Sequence, residues 1–142
     1  NISVYKAFEH QHLQEISESL MQLQQAELPE INFIPVRGNF TRGIFVSTYL
    51  KYDGTLEDAE KLYNEFYKGS PFVIVSDKNI DLKQVVNTNK CAIHLEKHGN
   101  KLLILSCIDN LIKGASGQAV HNMNLIFGLE ETEGLRLKAS AF

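Results

Sequence analysis

Cysteine is scarce in this chain, with two in 142 residues. Cys91 and Cys107 form neither a CxxC pair nor the even, closely spaced set that marks a disulfide framework, which argues for reduced thiols in the cytoplasm. A cluster of one charge sign is missing too. Fourteen Lys and Arg against seventeen Asp and Glu leave a formal charge of −3, and no basic patch offers a footprint for nucleic acid. Long apolar runs are absent: the stretch around Leu102–Leu105 is far too short to cross a bilayer, so no membrane span is expected. Asn1–Glu9 has neither the basic start nor the apolar run of a secretory signal. Repeats and low-complexity segments are lacking, which excludes solenoids and linker-like tails.

What remains is an ordinary globular composition, 44% hydrophobic and 22% charged, long enough to bury a core. The chain opens at Asn1, without a methionine and already in a strand-like segment, so it is expected to be a piece of a longer protein. Ile2–Phe8 reads as a strand. From Leu13 the period changes, and Leu13, Ile16, Leu20 and Leu23 share one helical face, with Pro29 at or just past the helix end. Residues 32–41, with a proline and a glycine, read as a loop with a short extended piece. Gly43–Tyr52 reads as a strand, Asp53-Gly54 as a turn, and Thr55 as the cap of a helix carrying Leu56, Ala59, Leu62, Tyr63 and Phe66; Gly69 and Pro71 stop it. Strands are expected at Phe72–Val75, Cys91–Glu96 and Leu102–Ile108, the last two joined by a hairpin turn at His98-Gly99-Asn100, and Gln84–Val86 as a short edge strand. Gly117–Phe127 reads as a final helix. The fold class is therefore α+β, a mostly antiparallel sheet covered by helices on one face. The division expected is 1–109 for the sheet domain and 110–142 for a loop and helix that nothing ties to that sheet.

Three constellations carry possible chemistry. His10-Gln11-His12 with Glu15 stands where a strand gives way to a helix. His12 and Glu15, three apart, can meet, and a carboxylate holding one imidazole nitrogen leaves the other free as a base. A surface histidine pair is the plain alternative, and no neighbouring cluster completes a metal site, so none is assigned. Arg37 and Arg42 flank Gly38 in a loop that could grip a carboxylate or phosphate, or simply be solvated. In Asp109–Ala119 a strand end, a small-residue loop and a helix start offer free N–H groups to an anion, although the order of Lys113 and Gly114 fits no P-loop. Close helix packing is the alternative there. Cys91 and Cys107 sit in strands, where thiols are usually inert.

Taken together, these segments resemble the N-acetyl-γ-glutamyl-phosphate reductase family, in its C-terminal substrate and dimerisation half. His10-Gln11-His12-Leu13-Gln14-Glu15-Ile16 resembles its His-Arg-His-x-Pro-Glu-Ile motif, and Thr41-Arg42-Gly43-Ile44 its Arg-Gly-Ile segment. Ile108–Asn124 is similar to its most recognisable stretch, and Gly128–Leu135 to its ending. The resemblance implies the C-terminal domain of a glyceraldehyde-3-phosphate dehydrogenase-like fold and an NADPH-dependent oxidoreductase of arginine biosynthesis. In such an enzyme a cysteine thiolate attacks the γ-acyl phosphate, phosphate leaves, and NADPH reduces the thioester to the semialdehyde. Neither cysteine here sits in the family's Gly-Cys-Tyr setting, so the nucleophile and most of the NADPH site are expected in an N-terminal dinucleotide-binding domain, and this piece alone is expected to be inactive.

By the same match His12 is the base, supported by Glu15, with His10 beside the substrate. Arg42, helped by Arg37, holds a substrate carboxylate or phosphate. Asn122 approaches the nicotinamide end, with Gly114 and Gly117 leaving room. The partners implied are a small acyl phosphate, the cofactor domain and a second copy in a homodimer or homotetramer. Phe45 and Tyr49 are candidate contacts, and Met123 and Phe127 are expected to stand exposed where the helix leaves the sheet domain. Gln11 and Gln14 depart from the family's Arg and Pro, which leaves N-succinyl-γ-glutamyl phosphate open as the substrate. An aspartate-semialdehyde dehydrogenase-like enzyme and a non-catalytic dimerisation module are the other readings.

Overall fold

The computed structural model describes residues 1–24 and 27–139. It divides into two compact units, Asn1–Thr41 and Arg42–Phe142.

In the first unit, β1 (Ser3–Val4) pairs antiparallel with β2 (Val36–Arg37). The strand expected over Ile2–Phe8 is this short because Lys6 and Phe8 adopt positive φ, 44° and 62°. Such angles turn the backbone out of an extended ladder. Helix α1 (Gln11–Leu23) follows and ends before Pro29. Its apolar face is the one expected, yet none of its residues is fully buried within this unit.

The second unit is built on a four-stranded sheet in the order β3-β6-β5-β4. Strand β3 (Ile44–Lys51) pairs antiparallel with β6 (Lys101–Ile108), and β6 with β5 (Cys91–His98) through the turn at Gly99, which sits at φ 58°. β4 (Val73–Ser76) runs parallel to β5, so the sheet is mixed, a correction to the mostly antiparallel expectation. Parallel neighbours need a crossover, and residues 77–90 supply it. There Gln84 and its neighbours form a single 3-10 turn, Leu82–Gln84, instead of an edge strand. The Asp81 carboxylate accepts the Lys83 N–H and starts that turn, and Val85 behind it is buried.

Between β3 and β4, α2 (Leu56–Phe66) forms as read. Thr55 accepts the Asp58 N–H at 3.1 Å while the Asp58 carboxylate accepts the Thr55 N–H at 3.1 Å, a reciprocal cap. Its Ala59 packs with Ile93, Leu95 and Leu102 on one sheet face. On the opposite face the crossover's Ile80 and Val85 pack on Ala92, Leu105 and Cys107. Helix α2 thus covers one face as expected, and the crossover covers the other. After β6 the chain makes a π-helical turn, Ile112–Ser116, and enters α3 (Gly117–Phe127). Gly128 closes α3 at φ 65°, the left-handed cap that glycine adopts without strain. No helix among the described residues is long and apolar enough to cross a membrane.

Candidate functional site

In the first unit His10 is the N-cap of α1, its Nδ1 accepting the His12 N–H at 3.3 Å. An Nδ1 that accepts leaves the neutral ring's proton on Nε2, so His10 can only donate outward. The His10 ring also packs between Tyr5 and Phe33, with centroids at 5.6 and 5.5 Å, and stands edge-on to the exposed His12 ring at 4.7 Å. His12 makes no hydrogen bond or ion pair with Glu15 among the described residues; its ring turns back to His10, and Glu15 points to solvent nearby. Arg37 lies in β2, its guanidinium 4.2 Å from the Tyr5 ring centroid.

In the second unit Arg42 meets Asp109, with Nε 3.1 Å from Oδ2 and Nη2 donating to Oδ1 at 3.4 Å. The Asp109 side chain is wholly buried and accepts three backbone N–H groups, from Asn87 (2.7 Å), Leu111 (2.8 Å) and Ile112 (2.9 Å). Burial acts to raise its pKa, but those donors and the Arg42 charge outweigh it and hold the carboxyl below the usual range. Asp109 therefore fixes Arg42 on one edge, and the Arg42 side chain remains 31% exposed. Next to it the Asn110 Oδ1 accepts the Gly43 N–H at 2.7 Å, tying the start of β3 to the end of β6.

The turn after β6 carries the third constellation. The Gly114 N–H reaches the Asp109 carbonyl and the Ser116 N–H the Leu111 carbonyl, each across five residues, which widens the turn by one residue. Lys113 on that turn lies over the Phe72 ring and donates to Gln118 Oε1 at 2.8 Å. Burial lowers its pKa, against the pull of Cys91 and Glu131. Gln118 Nε2 donates in turn to Asn122 Oδ1 at 2.9 Å, and Asn122 is exposed on α3.

The two glycines differ. A side chain at Gly114 would meet nothing closer than Ile108 Cδ1 at 3.4 Å, whereas one at Gly117 would stand 1.7 Å from Asn89 Oδ1. The space at Gly117 is thus filled by this chain's own Asn89, the close packing that was the alternative reading. Asn89 and Asn124 are buried amides that sequence reasoning passed over. The first donates to the Leu135 carbonyl, the second to the Glu131 and Glu133 carbonyls, and together they hold the tail after α3. No periodicity marks them, since their partners are backbone groups of a loop.

Both thiols are shifted away from reactivity. Burial raises the Cys91 pKa, opposed by Lys113. Burial, with Cys91 and Asp81 adding, pushes Cys107 up to about 11. The far half of α3 is uncovered, as expected: Met123, Ile126 and Phe127 are 44%, 78% and 73% exposed.

Residues 1–110 match the family model described as semialdehyde dehydrogenase, dimerisation domain. The chain belongs to that family. Its relatives include proteins named N-acetyl-gamma-glutamyl-phosphate reductase from Bacteroides fragilis, 68% identical over all 142 residues, and from Bacteroides thetaiotaomicron, 67% identical over the same span. A protein of the same name from Phocaeicola vulgatus is 65% identical. The chain covers 44% of the length of each of these three. The matched residues take in all four strands of the larger sheet, β3 to β6.

Proposed function

We propose that this chain is the substrate-binding and dimerisation part of an NADPH-dependent N-acetyl-γ-glutamyl-phosphate reductase. Such an enzyme converts its acyl phosphate to N-acetylglutamate semialdehyde in cytoplasmic arginine biosynthesis. The observation that carries this reading is the 68% identity, without a gap in coverage of the chain, to a protein of that name. The side-chain chemistry is consistent with it. His12 is the general base, because His10 has its Nδ1 committed to the helix cap and His12 has not. His10 offers its Nε2–H to the substrate, and Glu15 lies close on the same helix to balance the charge that His12 acquires. Arg42, oriented by Asp109, holds a carboxylate or phosphate of the substrate with its free edge, and Arg37 supplies a second cation.

Two of the three positions expected at the nicotinamide end, one on α3 and one on the π-turn before it, are open to a ligand. Asn122 is exposed, and Gly114 has an exposed backbone with room before it. Gly117 faces inward on Asn89 and contributes by seating the helix. NADPH, bound mainly by a dinucleotide-binding domain that carries the nucleophilic cysteine, supplies the hydride. The apolar end of α3, from Met123 to Phe127, packs on that domain; the residues 110–142 form the returning segment, and 1–109 the substrate and dimer part.

The test is the reverse reaction in the complete protein: phosphate-dependent reduction of NADP by N-acetylglutamate semialdehyde. The N-succinyl analogue and aspartate semialdehyde serve as alternative substrates. Turnover with the N-acetyl compound, reduced about a hundredfold or more by His12→Ala, is expected. Turnover with one of the alternatives alone would reassign the substrate, and none with any, from a folded protein, would leave a dimerisation module.

A further inference from the structure

Lys113 and Gln118 are five residues apart. On a regular α-helix such residues do not face each other; neighbours are three or four apart. The π-helical turn of Ile112–Ser116 inserts the extra residue that brings the Lys113 ammonium over Gln118. An ammonium has three donors and no acceptor. Gln118 must therefore present its carbonyl oxygen to Lys113, which turns its NH2 group to the other side. There it meets Asn122, four residues on, which answers with its own oxygen. The orientation of two amides, each ambiguous by itself, is decided by one cation. The last amide's NH2 has no partner among the described residues and stands at the exposed surface of α3.

We infer that Lys113 and Gln118 are positioning residues that set Asn122 as a hydrogen-bond donor, so that it reads the carbonyl oxygen of the nicotinamide carboxamide. This rests on the reading that Asn122 faces the dinucleotide. Exchanging Gln118 for glutamate reverses the relay. A carboxylate still accepts from Lys113 but can offer nothing to Asn122, which must then rotate its NH2 inward and expose its oxygen.

Dissociation constants for NADP, measured by calorimetry on the complete protein, test the inference. The 3-acetylpyridine analogue, whose ring substituent accepts but cannot donate, serves as the second ligand. Asn122→Ala is expected to weaken NADP binding roughly tenfold, the worth of one hydrogen bond to a ligand, and Gln118→Glu to weaken the analogue by as much, since NADP's carboxamide can turn its own NH2 to the oxygen that variant exposes. The double variant should be no weaker than Asn122→Ala alone, because the two act through one contact. Wild type should hold the analogue within about threefold of NADP, Gln118→Glu should lose it more strongly than NADP, and Lys113→Arg, which remains a donor, should bind normally. Normal binding by Asn122→Ala would overturn the cofactor reading itself. A loss in Asn122→Ala with normal binding of the analogue by Gln118→Glu, or additive losses of the analogue in the double variant, would overturn the relay alone. So would a tenfold weaker analogue in wild type, since Asn122 would then be reading the carboxamide's NH2.

Discussion

Arg42 and Asp109, separated by 67 residues in sequence, meet with Nε 3.1 Å from Oδ2, and the same buried carboxylate accepts three backbone N–H groups. Asp109 accepts from the crossover at Asn87 and from the π-turn at Leu111 and Ile112, while gripping the residue that opens β3. One buried charge thus ties three segments to a single point. Removing it leaves three N–H groups and a cation without their acceptor, and such losses are costly in the interior. Asp109→Ala is expected to lower stability by about 3 kcal/mol in urea unfolding. The pKa of Asp109 is below its ordinary 3.8, so its stabilisation is complete above that value and is lost as pH falls through the lower, folded value. Asp109→Asn should flatten this acid-side decline; an unchanged slope below pH 4 would remove Asp109 from the account.

Gly43 and Gly114 look alike in sequence and differ in structure. Gly43 has φ 109°, and a Cβ there would lie 2.7 Å from Leu82 Cδ2. Gly43→Ala should cost about 2 kcal/mol, from backbone strain and crowding together. Gly114 has ordinary room, so Gly114→Ala should change stability by less than about 1 kcal/mol. If Gly114 also faces the dinucleotide, the same substitution should still weaken NADP binding in the complete protein. Thermal unfolding beside calorimetric titration separates the two effects.

The difference between those glycines shows what a sequence can and cannot carry. Features set by neighbours in the chain were legible: the Thr55 cap, the stripe through Ala59, and the hairpin at Gly99 each depend on a few consecutive residues. The parallel placement of β4 was not, because Val73–Ser76 looks the same whichever direction its partner runs. Gln84–Val86 has strand composition, but Asp81 captures the Lys83 N–H and the backbone turns. The site divides the same way. His10 and His12 announce themselves by spacing, yet which one keeps a free lone pair follows from a cap that only the folded helix start defines. Asp109 was in view as a strand end, and its hold on Arg42 depends on register across the sheet.

The thiols offer a check on where the nucleophile is absent. With its pKa near 11, Cys107 carries roughly a thousandth of its thiol as thiolate at pH 8, against a sizeable fraction for a free cysteine. Labelling of Cys107 by iodoacetamide at pH 8 should be about a hundredfold slower in folded protein than in urea. Cys91, raised by the same burial, should also react slower folded than unfolded. Fast labelling of either in the native state would reopen it as a candidate nucleophile.

Strand β3 makes the strongest demand for a partner. It is the outer strand of the sheet, every residue from Ile44 to Lys51 is exposed, and apolar side chains stand on both of its faces. By the pairing with β6, Ile44, Val46 and Leu50 share the α2 face, while Phe45 and Tyr49 share the face of Leu103 and Cys107. A strand with an open edge and two greasy faces invites association unless something covers it. The family's description as a dimerisation domain names that role. Tyr49 at 70% exposure and Phe45 at 41% are the aromatic anchors on the face away from α2, and buried aromatics dominate interface energies. Phe45→Glu with Tyr49→Lys is therefore expected to raise the dimer dissociation constant about a hundredfold, read by sedimentation velocity across a concentration series. The substitutions should leave the intrachain fold intact, because neither side chain belongs to the buried clusters on either sheet face. A dimer as tight as wild type would move the interface off this face, either to the α2 side of β3 or to its open edge.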